Sequence, residues 1–145
     1  MRRAILGVVA GLAVWMIVVT VAGLILRVTW PAYVSASPAM AFTLPMRLTR
    51  LSIGALATLA AGWVSGAIGR STAAILIAGV VLLVVFIPNH IMIWDKFPVW
   101  YHLTFLVSLV PLTFVGGYPS SRRSLTRPLS KKGGPTPSVR PQGKR

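Results

Sequence analysis

Residues 88–102 read Pro-Asn-His-Ile-Met-Ile-Trp-Asp-Lys-Phe-Pro-Val-Trp-Tyr-His, and they decide how the second half of the chain folds. The apolar run before Pro88 begins near Ala73 and holds 15 residues, whereas a helix needs about 20 to cross a bilayer. Proline usually ends a helix, because it lacks an N–H and crowds the preceding turn. Membrane helices tolerate an interior proline where neighbouring groups supply a donor. We therefore predict a helix that continues through Pro88 to residue 93, followed by a tight turn.

The composition predicts that the solvent around most of the chain is lipid. Of 145 residues, 55% are hydrophobic and 11% are charged, and the mean hydropathy is +0.77. Soluble domains carry about 25% charged residues, so too few charges remain here to cover a water-facing surface. The absence of cysteine excludes disulfides, thiolate metal sites and cysteine nucleophiles.

Four apolar segments are predicted to cross the membrane as helices. The first would be about 34 Å long at about 1.5 Å per residue, enough for a hydrocarbon core of about 30 Å. It is too long for the apolar region of a signal peptide, which spans about 7–15 residues. Thr43 followed by Pro45 indicates a helix start before the second segment. The predicted spans are residues 4–26, 51–69, 73–93 and 99–117.

These spans predict an all-α fold, an integral membrane four-helix bundle in residues 1–117. The pair Gly116 and Gly117, followed by Pro119, is expected to end the last helix. Residues 118–145 are rich in Ser, Pro, Gly, Lys and Arg. They are predicted to form a disordered basic cytoplasmic tail.

Small residues recur at helical spacing and predict close contacts between helices. In lipid, helix association depends on van der Waals contact, which small side chains permit. The first span carries one pair of small residues four apart. The second span carries a row of them with a four-residue period, which predicts a central packing helix. We expect this row to serve packing, in a homo-oligomer or with an unknown membrane partner. The residues are Gly7, Gly11, Gly54, Thr58, Gly62 and Gly66.

The turn at residues 94–98 lies between two histidines and holds the only acidic residue of the chain. His90 and His102 are each six residues from Lys96, which places them at similar depth on antiparallel helices. Ionisable groups at membrane depth are candidate functional residues. The candidate polar cluster is His90, Asp95, His102, Arg47 and Arg50.

Three chemical roles compete with a structural one for this cluster. His90 and His102 could bind a metal or haem iron, or relay protons together with Asp95. Alternatively, the carboxylate could accept hydrogen bonds from Arg47 or Arg50 and lock the outer loops together. The favoured interpretation is structural, with His90 bonded to water or a carbonyl and His102 in an aromatic belt. No resident cofactor, metal site or catalytic residue is predicted.

Basic residues predict the orientation of the chain and its lipid contacts. Eight of the fifteen Lys/Arg follow Tyr118, and Arg2, Arg3 and Arg70 would lie on the same side. The positive-inside rule then puts both termini in the cytoplasm. The basic tail should attract anionic lipid by about 1 kcal/mol per residue. No specific nucleic acid is expected, since the tail after Tyr118 has no aromatic residue for base stacking.

One segment resembles a group of membrane proteins. Residues 94–103, Trp-Asp-Lys-Phe-Pro-Val-Trp-Tyr-His-Leu, followed by Pro111 and Gly116-Gly117, are similar to the last-helix region of small, uncharacterised bacterial inner-membrane proteins with about four spans. The resemblance implies a location in the bacterial cytoplasmic membrane and this architecture, with no activity attached. The predicted role is a non-enzymatic structural or accessory subunit of a membrane assembly. The alternative is a small transporter, or a metal- or haem-bearing protein, that uses His90, His102 and Asp95.

Overall fold

The computed structural model describes residues 1–125, with side chains to Arg122, and this part of the chain consists of helices and turns. It contains four long helices that are apolar enough to cross a membrane. The predicted all-α, integral membrane four-helix bundle is thereby confirmed for residues 1–125. The helices are α1 (Arg2–Thr29), α2 (Pro31–Ala36), α3 (Leu44–Gly69), α4 (Thr72–Met92) and α5 (Val99–Leu125), with a 3-10 turn at Trp94–Lys96.

Two helix boundaries follow from local signals in the sequence. Helix α3 begins directly after Thr43 and carries a proline in its first turn, as the Thr43–Pro45 pattern predicts. Helix α4 contains Pro88 and ends at Met92. The predicted continuation of this helix through Pro88 is therefore confirmed.

The α3–α4 hairpin has a short turn with a defined backbone. Arg70 adopts the left-handed conformation at φ 50°, and its N–H donates to the carbonyl of Gly66 at 3.0 Å. Ser71 then caps α4 by accepting a hydrogen bond on Oγ from the amide of Ala74 at 3.2 Å. These bonds satisfy backbone groups that a helix end leaves unpaired, so the hairpin needs few residues.

The predicted end of the last helix at Gly117 is wrong. Helix α5 continues to Leu125, because its two glycines are contact points with α3 rather than a terminator. Gly117 lies against the carbonyl of Gly62 and the side chain of Ile75. Ser120 Oγ donates to the carbonyl of Trp63 at 2.9 Å, and these contacts hold the turn that contains Pro119 in helical form. The rest of the predicted tail, residues 126–145, lies outside the described residues.

Helix α3 is the central helix of the described bundle and packs against α1, α4 and α5. A Cβ atom on Gly62 would meet the backbone of Thr113 on α5, and one on Gly66 would meet Gly117. On the opposite side, a Cβ atom on Gly7 would lie 2.7 Å from the amide nitrogen of Gly69. The small-residue rows are therefore used for packing inside the chain, as predicted for a central packing helix, and a contact with a second copy or another partner stays a prediction.

A polar contact joins α1 to α3 halfway along the bundle. Trp15 Nε1 donates to Thr58 Oγ1 at 3.2 Å, and this hydroxyl donates to the carbonyl of Gly54 at 2.7 Å. The Trp15 ring also packs on Phe86 of α4, with 4.6 Å between the ring centroids. Thr58, one of the predicted packing residues, thus acts as both acceptor and donor in this layer.

The candidate site lies at one end of the bundle, which we call the α2 end. This end combines the C-terminus of α1, helix α2, the N-terminus of α3 and the turn between α4 and α5. Its core is a buried cluster that consists mainly of aromatic side chains rather than small residues. The buried members are Tyr33, Phe42, Met46, Phe97 and Tyr101.

Candidate functional site

A cavity of about 420 Å³ lies at the α2 end of the described bundle. It is bordered by residues of all five helices, and most of its wall is aliphatic or aromatic. This volume is within the range of small-molecule sites, which are mostly apolar with a few fixed polar groups. The charged and polar side chains that border it include Arg27, Arg50, Asn89 and His90.

Arg50 is the best-positioned polar group of the cavity. It lies six residues into α3, about 9 Å from the start of the helix. Its Nη1 donates to the hydroxyl of Tyr33 at 2.7 Å, and its Nε donates to the hydroxyl of Tyr101 at 3.4 Å. The guanidinium also lies over the ring of Phe42, at 4.8 Å from the centroid. These contacts hold the half-buried cation in one orientation.

The predicted lock between Asp95 and the arginines of α3 is not formed. Asp95 is exposed in the 3-10 turn, and Arg50 is bound to two tyrosine hydroxyls instead. Arg47, one turn earlier on α3, is half-buried with its Nε unpartnered, and it does not border the cavity. The chain has no other acidic side chain. Arg50 therefore has no carboxylate partner among the side chains of residues 1–122, and its Nη2 is left without a hydrogen bond to them.

The two histidines meet face to edge between α4 and α5. Their Nδ1 atoms are 2.8 Å apart, and both side chains are buried, with His90 4% exposed and His102 fully enclosed. The favoured interpretation, with His90 on water or a carbonyl and His102 in an aromatic belt, did not anticipate this contact between the two rings. The His102 ring is stacked on Trp94, with 4.7 Å between the ring centroids. Asp95, the third member of the proposed relay, is not in this group.

A shared hydrogen atom accounts for the contact between the histidines. Two N–H groups cannot face each other at 2.8 Å, so one Nδ1 donates and the other accepts. The 2.8 Å separation fits such a hydrogen bond. Among the described residues, no group of three or more His, Cys, Asp or Glu side chains surrounds the pair to complete a metal site.

Sequence reasoning brought His90, His102 and Arg50 to one end of the bundle and missed the aromatic residues that organise them. Tyr33, Phe42 and Phe97 come from α2 and from two loops, and they surround the guanidinium of Arg50. Tyr101 bonds to Arg50 and also packs on His90, with 6.2 Å between the ring centroids. The signal in the sequence was the density of aromatic residues in residues 30–42 and 94–105. Aromatic residues at a membrane interface give the same pattern, so it did not distinguish a site from an interface.

Comparison of the chain with protein-family models, with curated proteins and with solved structures finds no match. The function must therefore be argued from the cavity and its side chains.

Proposed function

We propose that this chain is a non-enzymatic accessory protein of the bacterial cytoplasmic membrane that binds an amphipathic molecule with an anionic group, a carboxylate or a phosphate. The cavity at the α2 end would hold the apolar part, and Arg50 would bind the anionic group. The observation that supports the proposal most directly is the Arg50 guanidinium, oriented by Tyr33 and Tyr101 beside the cavity without an acidic side chain to neutralise it.

The electrostatics of the α2 end favour an anion over a neutral ligand. An arginine stays charged in proteins, and a charge near the hydrocarbon region is costly unless it has a partner. The hydroxyl oxygens of Tyr33 and Tyr101 and the ring of Phe42 stabilise this charge without neutralising it. An anion on Nη2 would add charge-assisted hydrogen bonds, each of which contributes about 1.5–3 kcal/mol. Arg27 also borders the cavity, so a second cation would favour the same ligand.

The apolar wall explains why the ligand should be amphipathic rather than a free anion. Trp15, Phe86 and Phe105 border the cavity toward the middle of the bundle, away from Arg50. A group that fills this part gains from removal of its apolar surface from water. A small free anion would leave these walls uncovered, so the chain of the ligand should add to its affinity.

The location and orientation belong to the same proposal. The resemblance of residues 94–103 to small four-span inner-membrane proteins supports the cytoplasmic membrane. Arg2, Arg3, Arg70 and Arg122 are exposed at the end of the described bundle opposite the α2 end, and the positive-inside rule would place that end in the cytoplasm. The cavity would then lie near the outer leaflet.

The test compares matched ligands and matched variants of the full chain in neutral detergent. Oleate and oleyl alcohol share one chain and differ in charge, and phosphatidylglycerol and phosphatidylcholine with equal acyl chains give the same comparison for lipids. Inorganic phosphate tests the anionic group alone. We expect oleate or phosphatidylglycerol to bind more tightly than its neutral counterpart, and phosphate alone to bind weakly.

Arg50→Gln should lower the affinity for the anionic ligand about tenfold to a hundredfold, which is the equivalent of one charge-assisted hydrogen bond. Arg47→Gln is the matched control, because it removes a guanidinium from the same helix outside the cavity. Thermal unfolding of each variant separates loss of binding from loss of fold. Equal affinity for oleate and oleyl alcohol, or an unchanged affinity in a folded Arg50→Gln variant, would overturn the proposal.

A further inference from the structure

We infer that His102 is a positioning residue that holds His90 in the tautomer with its hydrogen on Nε2, so that His90 acts as a second hydrogen-bond donor to the anionic group beside Arg50. This inference rests on the proposed function for its ligand, but its statement about the tautomers does not. It starts from a polar atom that the bundle leaves without a partner.

His102 Nε2 is a fully buried nitrogen without a hydrogen-bond partner among the described residues. The ring around it is enclosed by aromatic neighbours, with Trp94 stacked on one face and Phe97 in edge contact at 6.1 Å between the centroids. A hydrogen on this nitrogen would be a buried donor without an acceptor, and such a group costs about 1–3 kcal/mol. Buried N–H groups without an acceptor are rarer in native proteins than buried acceptors without a donor, so we place the hydrogen of His102 on Nδ1.

This assignment determines which ring nitrogen of His90 carries its hydrogen. His102 Nδ1 lies 2.8 Å from His90 Nδ1, so when His102 donates, the Nδ1 of His90 must accept. A neutral imidazole carries one hydrogen, and the remaining position on His90 is Nε2. The buried ring therefore sets the chemistry of its partner through one hydrogen bond.

His90 is the member of the pair that borders the cavity, and His102 does not. Nδ1 of His90 is occupied by His102, which leaves Nε2 as its free ring nitrogen. The His90 ring is held between Tyr101 and Phe105, in near-parallel contact with both, at 6.2 and 4.8 Å between the centroids. Tyr101 also receives the hydrogen bond from Arg50. A ligand oxygen near Arg50 would thus have an N–H donor of His90 within the same cavity wall.

The charged and titratable groups around His90 and His102 favour a pair in which both rings are neutral. Arg50 on α3 and Arg27 on α1 are the cations that border the cavity with His90, and Tyr33 and Tyr101 complete the set from α2 and α5. Asp95, on the turn between α4 and α5, is exposed. A cationic pair would meet two guanidinium groups without a counterion, whereas the neutral pair donates to an anion without adding charge.

The experiment is nitrogen-15 NMR of the full chain labelled at histidine, in detergent without ligand, followed by titration with oleate. We expect His90 with hydrogen on Nε2 and His102 with hydrogen on Nδ1. In His102→Phe, which keeps an aromatic ring but removes the donor, His90 should populate both tautomers, and the affinity for oleate should fall only by the fraction lost, about twofold for an equal mixture. His90→Phe removes the donor to the ligand itself, and there the affinity for oleate should fall by about tenfold, as for one lost hydrogen bond. His102→Asn places an N–H near the position of Nδ1, so it should restore the tautomer and most of the affinity.

The outcomes separate this inference from the proposed function. The reversed tautomers in the wild-type chain would overturn the inference, whatever the ligand does. The expected tautomers with an unchanged oleate affinity in a folded His90→Phe variant would overturn the donor role of His90. If the wild-type chain binds oleate and oleyl alcohol equally, the proposed function fails, and the donor role fails with it while the tautomer assignment stands.

Discussion

The contact between Gly62 and the backbone of α5 offers a direct test of how the bundle is held together. A Cβ atom on Gly62 would lie 2.8 Å from the carbonyl carbon of Thr113 and closer still to its oxygen, whereas ordinary contacts lie at 3.4–4 Å. Gly62→Ala therefore requires α3 and α5 to separate by roughly 1 Å, and a gap of this size forfeits about a quarter to a half of each dispersion contact across it.

The expected loss of stability follows from two opposing terms. Overpacking of a close contact costs about 1–3 kcal/mol, and replacement of glycine by alanine inside a helix returns about 1 kcal/mol. Because the clash is with backbone atoms, which cannot rotate away, we expect a net destabilisation by Gly62→Ala toward the upper end of the difference, up to about 2 kcal/mol. Gly23→Ala is the matched control on α1, because a Cβ atom there meets nothing within 4 Å, and it should be neutral or slightly stabilising.

Unfolding by titration with sodium dodecyl sulfate, followed by tryptophan fluorescence in mixed micelles, measures the difference. Gly62→Ala should unfold at a lower detergent fraction than the wild-type chain, and Gly23→Ala should not. Crosslinking in mild detergent runs in parallel, because an intermolecular role of Gly62 would change association and leave the unfolding of the monomer as it was. Equal unfolding of the two alanine variants would refute the intramolecular packing of α3.

Two further predictions concern the hairpins. Ser71→Ala removes the oxygen that accepts from Ala74 at 3.2 Å and should cost about 1 kcal/mol in the same unfolding titration; no loss would mean that water replaces the cap. Alkaline phosphatase fused after Lys96 should be active outside the cytoplasm, and green fluorescent protein fused after Arg70 should fluoresce inside it. These points flank α4, so reporters on the same side would contradict α4 as a membrane span.

The parts of the fold that could be predicted are those that depend on neighbouring residues alone. Span length and hydropathy are local quantities, and they identified the helix that passes through Pro88. The end of α5 could not be predicted in this way, since Gly116, Gly117 and Pro119 are helix terminators when considered in isolation. In this bundle Gly116 and Gly117 lie against Leu59 and Gly62 of α3. Ser120, which follows Pro119, donates to the carbonyl of Trp63, and these contacts keep the segment helical.

The candidate site shows the same division. The equal distance of His90 and His102 from Lys96 predicts their depth in the bundle, but their mutual orientation depends on the rotation of α4 and α5 about their axes. For Arg50, one alternative from the sequence was a hydrogen bond to Asp95, because both residues lie on the same side of the predicted spans. Its actual partner Tyr33 comes from α2, and the place of α2 against the bundle depends on how the long helices pack.

The two halves of the bundle differ in what separates α3 from α5, and this difference accounts for the cavity. At Gly62 and Gly66, α3 meets the backbone of α5, so no room remains between the helices. At Gly54 the nearest atoms belong to the side chain of Phe105, and the width of an aromatic ring keeps the helices apart there. Toward the α2 end, rings therefore fill the space that glycines close elsewhere, and rigid rings leave a gap that a ligand can occupy. The glycine contacts therefore hold α3 and α5 together at one end of the bundle, and aromatic rings separate these helices at the end where Arg50 and His90 border the cavity.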